Sequence, residues 1–231
     1  MGRWPVRLWL GRWSGRQLKL MIKLDFADVV AERRRLLQVD LSAILAGAGS
    51  LVWEVGCGHG HFLAAFAAAH PLSVCVGVDL ASDRIARAQR KRDRAQLGNL
   101  HFVRAEARLF LEALPVGCVI SDLFILFPDP WPKSRHHKHR ILQREFLAAA
   151  AGRAASTCRL YFRTDYLPYF DWAKATIANS AVWELADEAW PFEFESVFQR
   201  RAEQHVSLSA RLAVLGGAAP AEAERFSGTS F

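Results

Sequence analysis

Cysteine is scarce in this 231-residue chain, and its four cysteines, Cys57, Cys75, Cys118 and Cys158, include no Cys-x-x-Cys pair. Each lies in or beside an apolar run. That disfavours a disulfide framework or a cysteine zinc site and leaves buried, reduced thiols of a cytoplasmic protein as the expectation. No apolar run approaches the roughly 20 residues that a membrane-spanning helix needs. The N-terminal "RWPVRLWLGRW" is broken by Arg7 and Arg12, so it lacks the continuous middle of a signal peptide. Residues 1–20 hold Arg3, Arg7, Arg12, Arg16 and Lys19 and no acid at all. Over the whole chain 23 acids face 30 Lys and Arg, a net charge of +7, which points to an anionic partner and says nothing of the fold. No internal repeat is visible.

What is present is ample apolar content, 52% of the residues, enough for a core and too much for a disordered chain. The length suits one domain with appendages. Residues 1–20 could be a basic arm on nucleic acid, a targeting segment, or an upstream extension outside the fold, with Met21 as a second start; the third is the expectation. A domain over 21–215 and a loose tail over 216–231, "GGAAPAEAERFSGTSF", complete the division.

Residues 24–45 read as a helix with an imperfect apolar stripe. After "AGAGS" comes a buried-strand pattern, "LVWEV", a glycine loop, "GCGHG", and a helical "HFLAAFAAAH". "VCVGVD" is a second strand, and Ser82 is placed to cap the helix that follows and stops near Gly98. "LHFVR", "CVISDLFIL" and "CRLYFRTD" are further strands, separated by helical "EARLFLEAL" and "RILQREFLAAAAGRA". Strands alternating with helices predict an α/β fold, a doubly wound, mostly parallel sheet covered on both faces. Residues 181–214 lack a long helix and predict an antiparallel C-terminal edge strand.

"EVGCGHGHF" ends a strand and opens a helix. Gly56, Gly58 and Gly60 permit a tight turn and close approach of a ligand to the backbone. The next strand ends in Asp79, where an acid accepts hydrogen bonds from ribose hydroxyls. The spacing is Gly-x-Gly-x-Gly and not the Gly-x-Gly-x-x-Gly of dinucleotide sites, and Glu54 two residues earlier would repel a pyrophosphate. A carboxylate there suits a ligand carrying an ammonium group, which points to S-adenosylmethionine and away from NAD. Glu106, just past the third strand, either takes the adenine amino group or compensates a helix dipole.

The fourth strand delivers "FPDPWPKSRHHKHR", Phe127 to Arg140, in which Asp129 stands alone among prolines ahead of a dense basic run. Taken with the glycine loop, this stretch resembles the bacterial tRNA (guanine-N7)-methyltransferases over roughly residues 50–210. The resemblance implies the seven-stranded S-adenosylmethionine-dependent methyltransferase sheet. It places cofactor contacts on Glu54, Gly56, Gly58, Gly60, Asp79 and Glu106, and puts Asp129 at the reaction centre, beside the cofactor. It also assigns Lys133, and Asp165 of the following Thr-Asp pair, to the RNA substrate.

This chain departs from the family in having Glu106 for Asp, and Ser196-Val197-Phe198-Gln199 where the family has Thr-x-x-Glu. Ser196 and Gln199 keep that element's substrate-binding place with the charge lost. Pro128 and Pro130 stiffen the loop. Trp131 either stacks on a base or packs on the domain surface. Lys133, Arg135, His136, His137, Lys138, His139 and Arg140 are expected to meet phosphates, with no metal involved. Arg84, Arg87, Arg90, Lys91, Arg92 and Arg94 form a second basic helix, a phosphate surface or a solvated face. The reading is methyl transfer to guanine N7 of tRNA by a monomer or homodimer. Its rivals are a tRNA-binding relative that no longer methylates, and a methyltransferase for another RNA or a small molecule.

Overall fold

The computed structural model describes residues 15–194 and 204–213, with side chains from residue 27 onward. Helix α1 spans Gly15–Ile44, beginning well before the predicted residue 24. Strands β1 (Ser50–Val55), β2 (Cys75–Asp79), β3 (Leu100–Arg104), β4 (Val119–Leu126) and β5 (Ala154–Thr164) alternate with helices α2 (His61–Ala69), α3 (Ser82–Ala95), α4 (Ala107–Ala113) and α5 (Arg144–Ala151). Helix α6 (Leu167–Ala178), β6 (Trp183–Ala186) and β7 (Val206–Leu212) follow. The strands form one sheet in the order β3-β2-β1-β4-β5-β7-β6.

The strands obey the two-sided pattern of buried parallel sheets. Leu51 and Trp53 point to one face, with Leu123, Ile125, Leu160 and Phe162, against α1, α4, α5 and α6. Val52, Phe102, Phe124 and Tyr161 point to the other, against α2 and α3. Trp53 is fully buried and stacks on Phe110 of α4 at 4.8 Å between ring centroids. All four cysteines are free and buried, and burial pushes the Cys75 and Cys158 thiols up to about 12, which removes them as nucleophiles.

The late antiparallel strand is present, but it lies one place in from the edge. β7 runs antiparallel to β5, with Leu160 opposite Ala210, and β6 closes the sheet beyond it, with Leu185 opposite the same Ala210. Ala210 is fully buried between them. Among the described residues no helix is long and apolar enough to cross a membrane.

Two helix starts differ from the reading above. The residue that caps α3 is Ala81, and Ser82 makes no capping bond. Asp79 Oδ1 accepts the Ala81 N–H at 2.8 Å, so the acid two residues upstream supplies the acceptor. Glu106 is not inside α4 but caps it, its Oε2 accepting the Leu109 N–H at 3.0 Å.

Candidate active site

Strand order and register assemble the site. Val55 of β1 lies beside Val78 of β2 on one side and Ile125 of β4 on the other; Asp79 lies beside Arg104 of β3, and Leu126 beside Arg163 of β5. The carboxyl ends of five parallel strands therefore form one continuous rim. Along it, from β3 to β5, come Glu106, Asp79, the glycine loop, Asp129 and Asp165. Residues more than a hundred positions apart in sequence meet at the place where open α/β sheets bind ligands.

The glycine loop is built as a cradle. Gly58 donates its N–H to Asp79 Oδ2 at 3.0 Å, tying the loop to the acid that ends β2. With the Ala81 bond, both oxygens of the buried Asp79 carboxylate are oriented by backbone and each keeps acceptor capacity. Gly60 has φ +66°, and a Cβ there would lie 2.3 Å from the Phe102 ring. Gly77 of β2, which the sequence reading passed over, is constrained by the same ring at 2.7 Å and by Cys57 at 3.0 Å. The signal was the glycine within "VCVGVD", which a strand disfavours unless something approaches it closely.

Glu54 is buried at the end of β1, and its Oε2 has no hydrogen-bond partner among the described residues. Burial, outweighing a bond from the Leu63 backbone and aided by the Asp79 charge, pushes its carboxyl up to about 8. A buried acid left unsatisfied beside a cradle of this kind suits a cationic group.

The chain enters the Asp129 loop through Phe127 and turns again at Trp131, both with positive φ, +48° and +46°. Phe127 donates its N–H to the Arg163 carbonyl at 2.8 Å, continuing the β4–β5 ladder to the loop's base. Asp129 is exposed at the tip, and Asp165 is exposed at the end of β5. The basic run forms a short 3-10 helix, Ser134–His139. Lys133, Arg135, Lys138 and His139 are exposed, and no carboxylate among the described residues pairs with them. Trp131 is half-buried, its ring 5.0 Å from that of His139 and 5.8 Å from that of His136. Among the described residues no group of three His, Cys, Asp or Glu could hold a metal ion.

Arg140, expected to meet phosphates with the rest of the basic run, is buried, unlike Lys133, Arg135, Lys138 and His139. It is 2% exposed, donates Nε–H to the Pro130 carbonyl at 3.0 Å, and lies over the rings of Tyr169 and Trp172 at 4.7 and 5.1 Å. It fastens the Asp129 loop to α6. Arg140→Ala should lower stability by about 2–4 kcal/mol, from one charge-assisted bond and two cation–π contacts. Urea unfolding measures this, and an unchanged midpoint would place the guanidinium elsewhere. Ser196 and Gln199 lie outside the described residues.

A sequence profile of a family described as "Putative methyltransferase" matches residues 48–205. A curated tRNA (guanine-N(7)-)-methyltransferase of Caulobacter vibrioides is 34% identical over 139 residues, 60% of this chain and 61% of that protein. The protein of the same name from Thiobacillus denitrificans is 30% identical over 177 residues, 74% of this chain and 77% of that one. The chain belongs to the tRNA (guanine-N7)-methyltransferase family. It spans about three fifths of the length of the Caulobacter relative. The aminoglycoside resistance methyltransferase NpmB1 shares the fold, with a TM-score of 0.52 at 16% identity, covering 76% of this chain and 93% of that one. Asp129 and its flanking prolines follow β4, which pairs in the sheet with β1, the strand that leads into the glycine loop.

Proposed function

We propose that the protein transfers a methyl group from S-adenosylmethionine to N7 of a guanosine in tRNA, in the cytoplasm. The observation that carries this reading is the adjacency of β1 and β4. It supports a site in which the glycine loop after β1 works with the proline-stiffened Asp129 loop after β4, ahead of exposed cations that no carboxylate among the described residues pairs with. The residues present fit the cofactor. Asp79 retains acceptor capacity for ribose hydroxyls, the unsatisfied Glu54 Oε2 suits the ammonium, and Glu106, with one oxygen spent on the helix cap, has the other for adenine.

When bound, S-adenosylmethionine would supply an electrophilic sulfonium methyl: the N7 lone pair would bond to the methyl carbon as the carbon–sulfur bond breaks and its electron pair stays on sulfur, which gives a neutral thioether and a positively charged purine ring. Because N7 is unprotonated at neutral pH, no side chain has to remove a proton. The work left to this chain is alignment and electrostatics. Asp129 and Asp165, on loops after adjacent strands, would hydrogen-bond the guanine edge and favour the charge that develops on it. Lys133, Arg135 and Lys138 would hold phosphates.

The test is mass spectrometry of nucleosides from tRNA incubated with the protein and isotopically labelled cofactor. Labelled 7-methylguanosine is expected, and a different methylated nucleoside would overturn the reading. The uncharged Gln199 favours one second reading, a tRNA-binding relative that no longer methylates. Cofactor and tRNA binding without label transfer would support it. Asp79→Ala should weaken S-adenosylmethionine binding by about 1.5–3 kcal/mol while tRNA affinity stays nearly constant. Calorimetric titration checks this, and unaltered cofactor affinity would remove Asp79 from the site.

A further inference from the structure

Helix α3 carries more positive charge than the reaction centre uses, and the structure sorts it into two sets. Arg84 approaches Asp79 at 3.8 Å and Arg92 pairs with Asp93 at 2.6 Å. Arg87, Arg90 and Arg94 are exposed, and no carboxylate among the described residues pairs with them. With Lys91 they sit at the i, i+3, i+4, i+7 spacing of a single helix face, a stripe about 10 Å long at 1.5 Å rise per residue. Like charges at that spacing repel one another, so the stripe costs stability unless an anion meets it.

The stripe is one wall of a groove of about 370 Å³ whose other wall is His59 and His61, at the glycine loop and the start of α2. None of the six side chains lining it is acidic. Lys91 reaches across and donates to the His59 carbonyl at 2.9 Å, which joins the two walls. The N-terminal end of α2 adds its partial positive charge. Helix α3 connects β2 to β3, on the opposite side of β1 from β4 and the Lys133–Lys138 surface. Two basic surfaces thus flank the candidate cofactor site.

We propose that the groove between α3 and the glycine loop binds the RNA phosphate backbone at a point away from the guanosine being methylated. This rests on the tRNA reading above and extends it. The groove contacts phosphates only, so it contributes affinity and orientation with no base preference. Salt dependence is its signature, since each neutralised phosphate releases counterions.

The experiment compares tRNA dissociation constants over a series of potassium chloride concentrations. It uses wild-type protein, a triple variant with Arg87→Ala, Arg90→Ala and Arg94→Ala, and a second triple variant with lysine at the same positions. The alanine variant should lose roughly 0.7–0.9 per broken contact from the slope of log affinity against log salt, about 2–3 in all. The lysine variant keeps the charge and should keep the wild-type slope. An unchanged slope in the alanine variant overturns the proposal, as does a lysine variant as weak as the alanine one. If wild-type protein methylates tRNA while the alanine slope is unchanged, only this inference fails. Wild-type protein that neither binds nor methylates tRNA sinks the functional reading with it.

Discussion

Asp129→Ala should lower the single-turnover rate of methyl transfer on the order of 10²-fold or more, the scale seen when one preorganised electrostatic group is removed from a reaction centre. Affinity for tRNA should change little, because on the proposed reading the phosphates would be held by Lys133 and its neighbours on the following 3-10 helix. A fall in rate without a matching fall in affinity marks an interaction made only in the transition state. The loop should survive the substitution. Its conformation is set by Pro128 and Pro130, by the Phe127 bond to Arg163 and by the Arg140 bond to Pro130, none of which involves the Asp129 side chain. The same mechanism requires no deprotonation near neutrality. The single-turnover rate should therefore vary little from mildly acidic to mildly basic pH, apart from RNA binding by the histidines of the basic run. Full transfer by the alanine variant would end the assignment.

Glu54→Gln should do two opposite things. The carboxyl is held at about 8 in the folded chain against an ordinary value of 4.5, chiefly by burial. The folded state therefore retains a proton that the unfolded state has released. That contribution to stability is complete below about pH 4.5, declines as pH rises, and is lost once pH passes through about 8. At about 1.36 kcal/mol per pH unit, the whole decline is on the order of 5 kcal/mol. Glutamine has no proton to lose, so the ligand-free variant should hold its stability across that window while the wild type loses it. Thermal unfolding between pH 5 and 8.5 reads the difference, and parallel curves would mean that Glu54 is solvated. Cofactor binding should move the other way. An ammonium beside Glu54 favours the carboxylate, so binding at pH 7 should release close to one proton in the wild type and none in the variant, with weaker affinity in the variant. Calorimetry in buffers of different ionisation enthalpy measures that proton directly.

The legibility of the site followed the range of the forces involved. The glycine loop, Asp79 at the end of β2 and the stiff Asp129 loop could be singled out because their chemistry is local: positive φ favours glycine, and proline stiffens its neighbours wherever it stands. Arg140 was misread for the same reason. In sequence it ends a basic run, but Tyr169 and Trp172, which capture it, lie on α6, beyond α5 and β5. Ser82 was taken as a cap because its type and position fitted, whereas Asp79 had already filled that role from the end of β2. Gly77 carried a weak signal that only the Phe102 ring explains.

By itself the sequence determined the alternation of strand and helix, the two-faced burial of each strand, and which residue types could meet a nucleoside, an ammonium or a phosphate. These follow from periodicity and from the chemistry of single residues. The tertiary structure alone decided which loops share a rim, because strand order depends on pairing between distant segments and no local pattern encodes it. It also placed β7 between β5 and β6, took Arg140 out of the exposed basic run, and divided the cations of α3 into two that face a carboxylate and a stripe that faces none among the described residues. A charge acts through whatever lies a few ångströms away in space, and for Arg84 and Arg140 that neighbour comes from another element of the fold.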